Sequence, residues 1–206
     1  MIYIVSLLMI MSSCTVPRHI KNAFIGCYDD TPTGIDTLLD LSGCFWTSSS
    51  VPFRNEGLAT EYRFLIFYND GIVVRYGATS PQFGYKVYAA IQHELNQINV
   101  DSQKYKYFWG GGNFYKWGLY KMENNTIEIQ FIYRPSIQEG YHSSVVRYRV
   151  IDKHTIQELL FNDVKETYNF MPIEKLPSSE CWLKSEKWFW CDEELYKQYK
   201  QTLKSR

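Results

Sequence analysis

The chain has 206 residues and a formal net charge of zero, because its 22 Lys and Arg balance its 22 Asp and Glu. Without a basic surplus to neutralise phosphates, nucleic acid is excluded as an expected partner. The 17 Tyr, 12 Phe and 6 Trp suit a β-rich domain and half-buried surfaces with one polar edge.

The N-terminus has the pattern of a targeting segment. Residues 2–11 carry no charge and are mostly Ile, Leu, Val and Met. This run is about half the length that a membrane-spanning helix needs, and it matches the apolar core of a signal peptide. It ends in Ser12-Ser13-Cys14, which resembles a bacterial lipobox. The resemblance implies removal of residues 1–13, lipidation of Cys14 and anchoring to a membrane of the bacterial cell envelope. The alternative is a buried N-terminal strand with an incidental cysteine.

Four cysteines follow Cys14, at Cys27, Cys44, Cys181 and Cys191. An even number of cysteines in an exported chain predicts disulfides, and four cysteines allow three pairings. The shorter sequence separations favour Cys27–Cys44 and Cys181–Cys191. No two cysteines have the C-x2-C spacing of a zinc site, so neither a metal nor another cofactor is expected.

Residues 14–42 form a leader with several turn residues, and residues 43–206 form the predicted domain. A first strand is predicted near 43–48. Three pairs of β-type runs follow, each joined by a turn signal. The turn signals are Asn69-Asp70-Gly71, Asn124-Asn125 and Asp152-Lys153.

Two helices are predicted outside the hairpins. Ser80 and Pro81 precede apolar residues at helical spacing, which predicts a helix over about 82–98. The tail after Cys191 begins with acidic residues and ends with basic ones, as the helix dipole favours, so a C-terminal helix is predicted as well.

Alternation with period two assigns one apolar face to each hairpin. We predict that these faces enclose a common interior, since serial antiparallel hairpins close into an up-and-down barrel. The residues predicted to line this interior, and to contact a ligand there, are Tyr62, Phe64, Ile66, Val74, Tyr76, Ile129, Phe131, Tyr133 and Tyr148. The opposite faces are predicted to meet water, and their polar residues are Arg63, Arg75, Glu128, Gln130, Arg147 and Arg149.

A lipobox, a strand opening with Gly43, serial hairpins and the segment "WGLY…NNTIEIQ" together resemble bacterial lipocalin-like lipoproteins of the calycin type. The resemblance covers roughly residues 40–170 and consists of a pattern without a specific motif. It implies a lipocalin-like β-barrel with a helix insertion and a C-terminal helix. It also implies a small apolar ligand inside the barrel.

No motif indicates catalysis, so the chain is not expected to be an enzyme. His93-Glu94 begins like the zinc-protease motif H-E-x-x-H, but Gln97 stands where the second His belongs. The serines lack the nucleophile-elbow context G-x-S-x-G.

Three functions remain open from the sequence. The first is a lipid-anchored barrel that binds a small apolar ligand. The second is an envelope interaction or scaffold protein whose barrel is filled, with an unknown protein partner. The third is a carbohydrate binder that uses the aromatic residues between Trp182 and Trp190.

Overall fold

A computed structural model describes most of the chain after residue 15. The described residues are 16–24, 26–52, 58–80, 89, 91–92, 95, 116–133, 141–161 and 163–205. The signal peptide, Cys14 and most of the helix predicted over 82–98 therefore lie outside the described residues. Of that helix, Ala89, Ile91, Gln92 and Leu95 are described, and they are helical.

Eight antiparallel strands form a closed up-and-down barrel in which each strand pairs with its neighbours in sequence and β8 pairs with β1. This confirms the predicted lipocalin-like barrel. The strands are β1 Gly43–Pro52, β2 Leu58–Phe67, β3 Ile72–Ser80, β4 Lys116–Glu123, β5 Thr126–Tyr133, β6 His142–Asp152, β7 Thr155–Leu160 and β8 Asp163–Pro172. All three predicted hairpin turns are confirmed, as β2–β3, β4–β5 and β6–β7.

The predicted C-terminal helix is confirmed as α2, Glu193–Lys204, and a short helix α1 spans Arg18–Asn22. The Asp192 side chain caps α2 by accepting hydrogen bonds from the backbone N–H groups of Glu194 and Leu195. Short 3-10 helices span Ile35–Thr37, Trp182–Ser185 and Lys187–Phe189.

The barrel has two different ends. The three tight hairpin turns lie at the turn end, and the β1–β2, β3–β4, β5–β6 and β7–β8 connections lie at the opposite loop end. Residues 33–41 cross the turn end. They are held there by hydrogen bonds from the Thr33 backbone N–H to the Asn69 carbonyl (2.7 Å) and from the Asp40 backbone N–H to the Lys153 carbonyl (3.0 Å).

Two apolar clusters lie on the two faces of the barrel wall. The inner cluster takes residues from all eight strands and adds Ile35 and Leu39 from the segment across the turn end. The outer cluster lies between one side of the wall and the chain termini, which supply Val16, Ile20, Leu183 and Phe189. Strands β2 and β3 are therefore buried on both faces where the termini cover them.

Candidate functional site

The structure separates the residues that were predicted to line the interior. Four of them face inward: Ile129, Phe131, Tyr133 and Tyr148. The other five lie on the outer face, and they are Tyr62, Phe64, Ile66, Val74 and Tyr76. The face prediction for β2 and β3 was wrong because the terminal segments bury the outer face of these strands, so apolar residues occur on both sides. Whether any of the nine residues contacts a ligand stays a prediction.

The turn-end half of the interior is filled by the protein's own side chains. Phe45, Leu65 and Ile156 are completely or almost completely buried there, and Ile35 and Leu39 belong to the same cluster. This half is an apolar core.

Phe131, the inner residue of β5 before Tyr133, is also completely buried. Gly118 on β4 allows it to pack closely against the wall. A Cβ atom at that position would lie 2.5 Å from the Gln130 carbonyl oxygen and 3.0 Å from Cδ1 of Phe131.

The loop-end half of the interior is charged. Arg63 and Arg75 were predicted to meet water, but their strand partners in the register show that both point into the barrel. Arg75 is paired with Leu65, which belongs to the inner cluster. Only 13% of the Arg63 side chain and 16% of the Arg75 side chain are exposed. The prediction that Arg63 and Arg75 meet water was wrong because the termini cover the outer face of β2 and β3, which leaves the arginines on the inner face.

Arg63 is the centre of one group of inner polar side chains. Its Nη2 donates to Oγ of Ser49 (3.1 Å) and to Oε1 of Glu166. Its Nε lies 3.4 Å from Oε2 of Glu61 but makes no hydrogen bond with it. Oε2 of Glu166 is also buried, with no hydrogen-bond donor among the described residues. Among the described residues, neither the Nε donor of Arg63 nor the Oε2 acceptor of Glu166 has a hydrogen-bond partner, which is costly unless another molecule pairs with them.

Glu158 is the centre of a second group. It accepts hydrogen bonds from the hydroxyls of Tyr168 (3.0 Å) and Tyr148 (3.3 Å) and from Nζ of Lys165 (2.9 Å). Nη2 of Arg75 lies 3.7 Å from the same carboxylate. Burial alone would raise the pKa of Glu158, but the hydrogen bond from Lys165 and the charge of Arg75 lower it below its usual value. The carboxylate is therefore ionised at neutral pH and has several partners.

The two tyrosines beside Glu158 are neutral hydrogen-bond donors. Burial is the main cause that raises the pKa of both the Tyr148 and the Tyr168 hydroxyls, with the Glu158 charge acting in the same direction. One signal for these buried charges is present in the sequence. Runs such as "RFLIF" and "IVVR" are continuously apolar, as in strands buried on both faces, and an arginine within them has no open water to face.

A disulfide joins Cys27 near the N-terminus to Cys191 just before α2. The predicted pairings Cys27–Cys44 and Cys181–Cys191 were wrong, and Cys44 and Cys181 are buried free thiols. The reason is a backbone bridge that draws the two termini together across the outer face. The Tyr28 N–H donates to the Phe189 carbonyl (2.8 Å), and the Cys191 N–H donates to the Tyr28 carbonyl (2.9 Å). Burial raises the pKa of Cys44 and of Cys181 to about 12, so both are protonated thiols at neutral pH.

A buried ion pair holds the C-terminal segment against the β2–β3 turn. Nζ of Lys184 lies 2.9 Å from Oδ2 of Asp70, and this carboxylate also accepts from Oγ of Ser179 (2.7 Å) and the Tyr28 hydroxyl (3.2 Å). The Lys184 ammonium lies 4.8 Å from the centre of the Tyr28 ring as well. The partners of this ion pair are all side chains of the protein. The ion pair therefore helps to attach the termini to the barrel, and it gives no indication of a ligand.

The aromatic residues between Trp182 and Trp190 contribute to the outer cluster. Phe189 is completely buried and Trp190 nearly so. Trp188 packs edge-on against Phe189, with 82° between the ring planes, and against Phe24, with 89°. These rings do not form the coplanar, exposed surface that a sugar-binding platform requires.

The described residues hold no group of three or more His, Cys, Asp or Glu placed to bind a metal ion. None of the helices that the structure describes is both long enough and apolar enough to cross a membrane. Comparison of the chain with protein-family models, curated proteins and solved structures finds no match. The arrangement of side chains within the barrel is accordingly the basis for assigning a function.

Proposed function

We propose that this protein binds a small molecule in the loop-end half of its barrel. The observation that carries the proposal is the pair of unsatisfied buried atoms, Nε of Arg63 and Oε2 of Glu166, within one group of inner side chains. Ligand sites are typically concave, with a few convergent polar groups that orient the ligand. A ligand with both a donor and an acceptor would satisfy the two atoms together.

The charged lining changes the ligand that the sequence predicted. A wholly apolar molecule would remove water from Arg63, Arg75 and Glu166 without replacing its hydrogen bonds, which is unfavourable. A ligand whose inner part is polar avoids this cost. An apolar portion of the same ligand would lie towards Tyr133 and Val146, which are partly buried at the edge of the inner cluster.

A filled scaffold is the second candidate function, and the packing of Phe45 and its neighbours favours it for the turn-end half. The two candidates differ in what they expect of the loop-end half. A scaffold has no vacancy there, whereas a binding protein accepts a ligand.

Probe binding separates the two candidates. We would titrate the protein with a dansylated undecanoic acid and with the matching dansylated undecanol, following dansyl fluorescence. A Cβ at Gly77 would point towards Arg63 and Glu61, so Gly77→Leu places a side chain inside the proposed site. We expect saturable binding of at least one probe, weakened about tenfold or more by Gly77→Leu and unchanged by Thr167→Leu on the exposed outer face. No binding of either probe by the unaltered protein would favour the filled scaffold.

The export and anchoring of the chain are part of the same proposal. The Cys27–Cys191 disulfide supports an oxidising compartment outside the bacterial cytoplasm. We propose that residues 1–13 are removed and that Cys14 carries the lipid that anchors the protein to the envelope. Labelled fatty acid fed to expressing bacteria should enter the unaltered protein and not the Cys14→Ser variant. Equal labelling of both proteins would contradict the anchor and leave the binding proposal standing.

A further inference from the structure

Two cations face each other in the wall of the loop-end half. Arg75 on β3 and Lys116 on β4 are directly opposite partners in the strand register. Opposite residues of an antiparallel pair point to the same side, with Cβ atoms about 5 Å apart, and like charges in this position repel. Both side chains share the inner face, since Arg75 is also the partner of Leu65 on β2.

The protein neutralises this pair only in part. Among the described residues Lys116 has no carboxylate within ion-pair distance, and its ammonium lies 3.9 Å from the centre of the Tyr133 ring. Arg75 has one ion pair, at 3.7 Å, with a Glu158 carboxylate that already accepts three hydrogen bonds. Arg63 differs, because its guanidinium contacts both Glu166 and Glu61.

The environment of Lys116 shows the cost of this arrangement. Burial, followed by the charge of Arg75, lowers the pKa of its ammonium below the usual value. The folded protein therefore holds the charged form of Lys116 less favourably than the unfolded chain does. An anion bound between Arg75 and Lys116 would attract both side chains and so offset their mutual repulsion.

We infer that the ligand carries an anionic oxygen group, a carboxylate or a phosphate, which binds between Arg75 and Lys116 with the rest of the molecule extending towards the loop end. This inference rests on the proposed binding function and specifies the ligand that the site accepts. Each residue has a role suited to its chemistry. The planar guanidinium of Arg75 offers paired N–H donors, and Lys116 supplies a compact charge beside the face of Tyr133.

The test compares three dansylated probes of one chain length: undecanoic acid, undecyl phosphate and undecanol. In the unaltered protein at least one anionic probe should bind about tenfold or more tightly than the alcohol, because each hydrogen bond to a charged group adds affinity. The tighter of the two anions identifies the group as carboxylate or phosphate.

Two variants and one control locate the effect. Lys116→Met and Arg75→Gln should each bring the affinity for the anionic probe within about twofold to threefold of the affinity for the alcohol, both measured in the same variant. Arg149→Gln removes the same charge from the exposed outer face of β6 and should keep the full preference. A preference that survives in both inner variants would contradict the assignment to these residues.

The outcomes also separate this inference from the proposed function. If the alcohol and both anions bind the unaltered protein equally, the anion site is wrong and the binding function stands. If no probe binds, both proposals fail. The comparison within the unaltered protein needs no variant, so poor folding of a variant cannot obscure the result.

Discussion

The two halves of the barrel interior are built from the same eight strands, yet they are lined by opposite chemistry. Towards the turn end the inner face carries Phe45, Leu65 and Ile156, all buried in one cluster with the segment that crosses that end. Towards the loop end the same strands carry Arg63, Arg75 and Glu158. One half buries apolar surface, which stabilises the fold, and the other buries charge, which opposes it.

This difference indicates how the chain divides stability from function. Proteins commonly accept an unfavourable group where a ligand or substrate is to bind. Here the apolar half and the terminal segments, joined by Cys27–Cys191, provide the stability that allows Arg75 and Lys116 to lie opposite each other inside the wall. Substitutions in the two halves should therefore have different consequences.

Loss of the disulfide should have the largest effect, and it should affect both halves alike. The bond joins residues 164 positions apart, and closing a loop of that length stabilises by about 5 kcal/mol in the chain-entropy treatment. The Cys27→Ser/Cys191→Ser double variant should lose roughly this amount in urea unfolding. Alkylation of the unreduced, unfolded protein should modify Cys44 and Cys181 and neither Cys27 nor Cys191. Modification of Cys27 or Cys191 there would contradict the pairing.

Truncation in the turn-end half should come next. Phe45 is almost completely buried against Phe67 and Phe170, so Phe45→Ala should lower the free energy of unfolding by about 3–5 kcal/mol through lost burial and the cavity left behind. Val145→Ala, on the exposed outer face of β6, should change it by less than about 0.5 kcal/mol. A small effect of Phe45→Ala, comparable with the control, would show that this half is not a packed core.

Glu158→Gln in the loop-end half should have an intermediate effect. The carboxylate accepts hydrogen bonds from two tyrosines and a lysine, and replacing it should cost about 1–3 kcal/mol at pH 7. Glu174→Gln, at an exposed position after β8, should be close to neutral.

The same substitution should alter how stability depends on pH. The folded-state pKa of Glu158 is lowered from 4.5, so its stabilising contribution is fully present above pH 4.5 and is lost as the pH falls through the folded-state value. The unfolding free energies of the unaltered protein and Glu158→Gln should therefore converge in acid. A constant difference from pH 7 down to pH 3 would contradict an ionised, stabilised Glu158.

The sequence predicted the architecture well because hairpins depend on local signals. The turn at Asn69-Asp70-Gly71 is an example, with Gly71 at a φ of 88° that favours glycine. The inner face of β6 was also predictable, because its outer face carries exposed residues such as Arg147 and Arg149.

The charged half and the disulfide depend on tertiary packing, which the sequence pattern does not contain. Period two cannot identify the inner face of β2, where Phe64 and Leu65 are both buried on opposite sides. If it had been known that the termini cover the outer face, Arg63 would have been predicted to point into the barrel. The terminal segments also bring Cys27 next to Cys191 where they meet on the outer face. The sequence alone favoured pairings between cysteines that are closer in the chain.

The most direct test of the two-half account is the free energy of unfolding of Lys116→Met, measured beside Phe45→Ala in urea at pH 7 without ligand. Lys116 has no ion pair among the described residues and lies opposite Arg75, so we assign its charge to the proposed ligand binding rather than to stability. We predict that Lys116→Met is as stable as the unaltered protein or more stable, while Phe45→Ala is about 3–5 kcal/mol less stable. A loss in Lys116→Met as large as that in Phe45→Ala would contradict the account, because both halves would then be structural core.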